Sequence, residues 1–389
     1  MSASASAATL NVTTTDDAVS ADGQCSLREA ITAANIDSAF MDCPSGSGAD
    51  VIVLGAGEYR IDLAGAGENS NATGDFDIRS SLSVRGAGAD LTRIRGDRGD
   101  HVFDLAMPGA GQPINVVIEA ITLRNGDGIL GGAIINGDGV SLLVSGCSIV
   151  NNTAAQGAGI ASMGTLEVVN SAFHANQAGN GGAIWTGGGS ATLRNVTFDA
   201  NAATGSGSVA SFNAPALLNN VTMTLNIADS DLDDIGDGAL EMNANVSISN
   251  SIVARNIDLS LGGSSTVNPD CVVGVSGSLD SAGYNIIGNI GTVCTLGGVQ
   301  PSDQIGNAAQ PINPRLQPFA VYGGTVETEP PIAASPAVER GSPAMVGAPG
   351  ACEATDARGI VRPQGSRCDI GAAELDDLIF RDAFDPPLP

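Results

Sequence analysis

Ala120-Ile-Thr-Leu, Gly146-Cys-Ser-Ile, Asn170-Ser-Ala-Phe, Asn195-Val-Thr-Phe, Asn220-Val-Thr-Met and Asn250-Ser-Ile-Val are six copies of one phrase, spaced 26, 24, 25, 25 and 30 residues apart. Six residues after each of the last five starts comes another asparagine: Asn152, Asn176, Asn201, Asn226 and Asn256. A fixed period of this length is the mark of a solenoid, in which each repeat packs only on its neighbours. Short apolar runs separated by Gly, Asn, Asp and Ser make the repeating unit strands and turns. Strands stacked in register lie about 4.8 Å apart, so identical residues one repeat apart touch. Stacked asparagine amides can then bond along the stack, which assigns the Asn152 to Asn256 column to the fold and not to a ligand.

Outward from this core, the strands Val51-Ile-Val-Leu, Tyr59-Arg-Ile-Asp-Leu, Leu82-Ser-Val-Arg, His101-Val-Phe-Asp-Leu and Val116-Val-Ile-Glu precede the regular ladder. Most repeats carry a Gly-rich corner, as in Gly131-Gly-Ala-Ile, Gly157-Ala-Gly-Ile and Gly181-Gly-Ala-Ile. At the N-terminal side, Leu27, Ala30, Ile31 and Ala34 share one helical face, and Ser26 with Glu29 fits a capping box. A short amphipathic helix there would close the open end of the solenoid. The expected fold is all-β: a right-handed parallel β-helix with a short N-terminal capping helix and an irregular C-terminal cap. Residues 9–50 hold the first strand and the capping segment, 51–300 the β-helix, 301–374 the C-terminal cap and 375–389 a tail.

Composition narrows the function. The chain of 389 residues has 42 Asp plus Glu against 16 basic residues, a formal net charge of −26, and every basic residue is Arg. Such a surface repels nucleic acid and anionic membranes. Without Lys, no lysine base or Schiff base is available. No apolar stretch of about 20 residues is present, so no membrane insertion by this chain is expected. Seven cysteines fall into three local pairs, Cys25 with Cys43, Cys271 with Cys294 and Cys352 with Cys368, leaving Cys147 as a buried free thiol inside a repeat. Local staples of this kind imply an oxidising compartment.

Three stretches carry a family resemblance. Cys25-Ser-Leu-Arg-Glu-Ala is the signature of the CSLREA-domain proteins. The Gly/Asn ladder is similar to the β-helix repeats of chlamydial polymorphic outer-membrane proteins. Ser335-Pro-Ala-Val-Glu-Arg-Gly, Asp356-Ala-Arg-Gly-Ile-Val-Arg-Pro-Gln-Gly and Cys368-Asp-Ile-Gly-Ala-Ala-Glu resemble the choice-of-anchor domain of type Q. The resemblance implies a secreted or surface-displayed β-helix of a Gram-negative bacterium, with a C-terminal region concerned with sorting or anchoring. It implies no particular activity.

Candidate chemistry is sparse. Asp229, Asp231, Asp233, Asp234 and Asp237 place five carboxylates in nine residues, a set that would take calcium, although the spacing is not that of an EF-hand. An exposed acidic loop is the plainer reading. Glu119, Glu167 and Asp199 lie on or beside successive strands but share no column, so no hydrolase pair is implied. His101 and His174 look isolated, and Asp104, three residues beyond His101, should face the other way on a regular strand. The Arg-Gly-Asp triplets from Arg95 to Asp100 read as a polar corner. Trp185, the only Trp, would stack a sugar ring if it points outward; core packing is the simpler expectation. The leading expectation is a secreted or cell-surface scaffold for adhesion or glycan binding, leaning against catalysis. Its partner would be an extracellular glycan or a host or cell-surface molecule. A polysaccharide-degrading hydrolase or lyase, and a structural envelope or filament component, are the alternatives.

Overall fold

The computed structural model describes residues 7–106, 113–204, 208–232, 238–260 and 270–375. The chain coils through four faces per turn. One complete turn runs Val140–Ser145 (face one), Ser148–Val150 (face two), Thr153–Gln156 (face three) and Ile160–Ser162 (face four). All strands on these faces pair in parallel with the same face of the next turn. Parallel crossovers of L-residues give the right-handed coil, and the molecule is a right-handed parallel β-helix. Faces one and two belong to one sheet because Thr165–His174 and Ser190–Asp199 run through both.

The core follows from strand alternation. Leu10, Ile52, Val84, Ile118, Val144, Val168, Leu193, Leu218 and Ile248 are register partners on face one, and all are fully buried. Face two contributes Tyr59, Ile94, Leu123, Ile149, Phe173, Phe198, Met223 and Val253 in the same way. Phe173 and Phe198 stack with ring centroids 4.9 Å apart.

The repeated phrase marks a corner. Its first residue, from Ala120 through Gly146, Asn170, Asn195 and Asn220 to Asn250, adopts positive φ between 49° and 61°. Asn and Gly enter that region at the least cost, which is why they recur there. The second asparagine column is the expected ladder. In each turn Oδ1 accepts both the backbone N–H and the side-chain amide of the asparagine before it: Asn152 to Asn176, Asn176 to Asn201, Asn201 to Asn226, and Asn226 to Asn256. Each of these amides also donates to a backbone carbonyl one turn up, such as those of Leu123 and Ile149. The ladder therefore has a direction, and its last member needs only to accept. Asp270 fills that place, taking both bonds from Asn256 on Oδ1 and the Asn289 N–H on Oδ2. Burial pushes the Asp270 carboxyl up to about 7, against the hydrogen bonds that lower it.

Helix α1 spans Leu27–Asn35, and Ser26 and Glu29 form the capping box. Leu27, Ala30, Ile31 and Ala34 are buried, as their spacing predicts. Arg28 is fully buried, paired with Asp17, bonded to the Gly74 and Asp75 carbonyls, and set over the Phe76 ring. Cys25–Cys43, Cys271–Cys294 and Cys352–Cys368 are disulfides, and Cys147 is a buried thiol pushed up to about 12 by desolvation.

Residues from about 314 to 375 form a strap along the side of the coil, over face two and the corner it shares with face one. Glu327 reaches Ser148, Thr328 meets Thr197, Glu329 accepts from Thr224, Asn219 bonds the Ala351 carbonyl, and Asn220 bonds the Gly371 carbonyl. Ile252, Ala254, Ile286, Ala337 and Ile370 make a small second core beneath it. Buried pairs Arg358–Asp356 and Arg362–Glu374 lock the strap. The residues that carry both family-like motifs are thus structural in this chain: they cap, staple and strap.

Candidate functional site

Outward-facing residues are where the repeats differ. On face four, the outward register column reads Asp77, Asp104, Ile135, Ala161, Trp185, Ser211, Glu241 and Val272. Trp185 lies between the fully buried Ile184 and Thr186, so it points outward and is half-buried over Gly187 and Met163. This corrects the simpler expectation of core packing; strand alternation forces the ring out. Beside Trp185 the column is small on one side, Ala161, and hydroxylic on the other, Ser211, whose hydroxyl donates to Glu241.

At the N-terminal end of the same face the column turns acidic. Arg79 bridges Asp77 at 2.5 Å and Asp104 at 3.2 Å. Asp75, just before strand Phe76–Ile78, is 2% exposed, and its Oδ1 has no hydrogen-bond partner among the described residues. Burial first, then the charges of Asp100, Asp77 and Asp104, push its carboxyl up to about 8. Burial likewise holds Asp77 up to about 6, against the Asn71 N–H and the Arg79 charge. Carboxylate oxygens of Asp75 and Asp100 and a ring nitrogen of His101 lie within 4.8 Å of one another.

Above this cluster opens a cleft of about 790 Å³ at the corner of faces three and four. Arg98, Asp100, His101 and Asp127 supply its polar wall, and Ile129, Leu130 and Ile135 its apolar wall. Ile129 is 80% exposed there. A pocket of about 220 Å³ lined by Arg60, Arg95 and Arg98 adjoins it through Arg98. An amphiphilic cleft of this volume, with a few converging polar groups, is the usual form of a ligand site.

The two histidines are not isolated, as they look in the sequence. His101 meets Asp100 and Asp75, while Asp104 turns to Arg79. His174 bonds Asp199 at 2.8 Å, which raises its pKa, and stacks on Phe319 of the strap at 4.8 Å. The reason is the stacking of turns, which joins residues a period apart that no local spacing connects. One signal was available: Phe76-Asp-Ile and Phe103-Asp-Leu stand 27 residues apart, close to the repeat period, so Asp77 and Asp104 must stack.

The other candidates separate. Glu119, Glu167 and Asp199 fall in three different columns, with Glu119 paired to Arg85 and Glu167 to Arg194. Of the acidic run, Asp229 is fully buried and Asp231 exposed; Asp233, Asp234 and Asp237 lie outside the described residues, as does the tail from 376 onward. Asn195 and Asn220, which stand in glycosylation sequons, are buried beneath the strap and bonded to it, so the repeated corner and not glycosylation explains them.

No protein-family model and no curated protein matches the sequence. Among solved structures, the chain is similar to the pectate lyase Pel9A, at 12% identity over 84% of this chain and 88% of that one, with a TM-score of 0.42. It is also similar to the ORF18 protein of Geobacillus virus E2, at 14% identity over 68% of this chain and 53% of that one, with a TM-score of 0.33. Among the described residues no helix is long and apolar enough to cross a membrane.

Proposed function

We propose that this protein is a secreted or surface-displayed β-helix that binds an extracellular glycan along face four. The observation that carries the reading is the outward column of that face. From Asp104 onward it changes from turn to turn while the interior columns stay apolar, and it runs from the Arg98-lined cleft to the half-exposed ring of Trp185. Trp185 stands three turns beyond Asp104, about 14 Å along the axis. That span suits an extended chain molecule better than a compact ligand. An aromatic ring offers an apolar platform for a sugar face, and the cleft offers hydroxyl-bonding groups beside apolar wall. Three disulfides support export to an oxidising compartment, and the acidic surface speaks against nucleic acid as the partner.

A glycan array with the full chain, with and without calcium, tests the reading. Binding to a defined saccharide class that Trp185→Ala abolishes is the expected result. Failure of every glycan to bind contradicts it. A second, catalytic reading draws on the carboxylates of Asp75 and Asp100 gathered beside His101 at the foot of the cleft. Release of reducing ends or unsaturated uronates from any polysaccharide would favour that reading over the first.

A further inference from the structure

Asp75, Asp100 and His101 converge beneath the cleft in a way the surrounding protein does not complete. His101 Nδ1 lies 2.7 Å from the Gly131 carbonyl oxygen. A carbonyl only accepts, so Nδ1 carries the proton and donates it there. In the neutral ring this leaves the lone pair on Nε2, which lies 3.6 Å from Asp100 Oδ1. Two acceptors facing each other at that range repel unless a cation, a proton or a metal ion, lies between them. The nearby carboxylates differ in what they already have. Asp77 and Asp104 are bridged by Arg79, whose guanidinium supplies the charge on their side. Asp100 takes only backbone N–H groups, from Gly67 and His101, besides the ring. Asp75, nine-tenths and more buried, has an unpartnered oxygen, and its carboxylate lies within 4.8 Å of the ligand atoms of Asp100 and His101.

We propose that Asp75, Asp100 and His101 Nε2 form a binding site for a divalent transition cation of the zinc type, with its remaining coordination open to the cleft. The ligand set chooses the metal. One imidazole and two carboxylates suit zinc-like ions, which take three protein ligands and keep a fourth position open. Calcium takes six to eight oxygen ligands and gains little from an imidazole nitrogen, which zinc-type ions favour. The Gly131 carbonyl on Nδ1 is the outer partner that metal-bound histidines use to fix their tautomer. Gly128 makes room for the ring: a Cβ added there would stand 2.3 Å from His101 Nδ1. This assignment does not depend on glycan binding.

Titration calorimetry on the full, chelator-treated chain with zinc, manganese and calcium salts is the test. Zinc is expected to bind one to one and most tightly. Asp75→Asn and His101→Gln should each weaken it by about tenfold or more, and Gly128→Ala, which removes no ligand, should weaken it too. Asp280→Asn, on an exposed strand position of face one, should leave it unchanged. Absence of zinc binding overturns the proposal. So does zinc binding that His101→Gln leaves intact, or calcium binding tighter than zinc. Should Asp75→Asn not fold, the partly exposed His101 still gives a decisive variant.

Discussion

Two columns of the same coil make opposite statements. The asparagine column from Asn152 to Asn256 is the same residue in every turn, buried and bonded along the axis. The outward column of face four, on strands of the same turns, reads Ala161, Trp185, Ser211, Glu241 and Val272 and differs in each. Both obey one stacking distance. A column that repeats records what each turn requires of the next. A column that varies is free of that requirement, and its residues answer to whatever lies outside. The repeats therefore locate stability, and their interruptions locate chemistry.

Breaking the repeated interior should cost the most. Phe198→Ala removes a ring stacked on Phe173 in the narrow core and should destabilise the coil by about 4 kcal/mol. Thermal or denaturant melts measure it, with local hydrogen exchange showing the loss centred on neighbouring turns. Asn201→Ala comes next. It strands the N–H and side-chain amide of Asn176 and the Phe173 carbonyl in the buried corner, for a loss of about 3 kcal/mol. A melt that Asn201→Ala leaves unchanged would remove the ladder from the account.

Acidity should follow at a smaller scale. Burial holds Glu329 and Asp369, both in the strap, up to about 7. Each binds its proton more tightly folded than unfolded. Their contribution is complete below the unfolded carboxylate range near pH 4 and is lost as pH rises through about 7. His174, raised mainly by its bond to Asp199, has the same sign. The melting temperature should fall between about pH 5 and pH 8, by roughly 2 kcal/mol of stability per carboxyl, and Glu329→Gln should flatten the slope. A rise in stability over that range would contradict it. Trp185→Ala, outward and half-buried, should change stability least, by about 0.5 kcal/mol.

Much of the fold is legible in the chain because a solenoid writes its contacts as a period. The capping box at Ser26 and Glu29, the asparagine ladder and the three cysteine pairs all follow from local rules or from that period. The strap is less legible. Its contacts, such as Asn219 with Ala351 and Ser148 with Glu327, span 132 and 179 residues and carry no period. The acidic cluster was hidden for a related reason. Asp75, Asp100 and His101 come from two turns whose loops differ in length, so only the coiling of the chain brings them together. Asp270 shows the same limit from the other side: the end of a repeat is the place where its residue must change.

The central claim is that variable outward positions bind while repeated interior positions hold the fold. Trp185→Ala tests it most directly, with glycan binding and melting temperature measured on one preparation of the full chain. The account predicts loss of binding at an unchanged melting temperature. Retained binding, or a melting temperature that falls as far as that of Asn201→Ala, would contradict it.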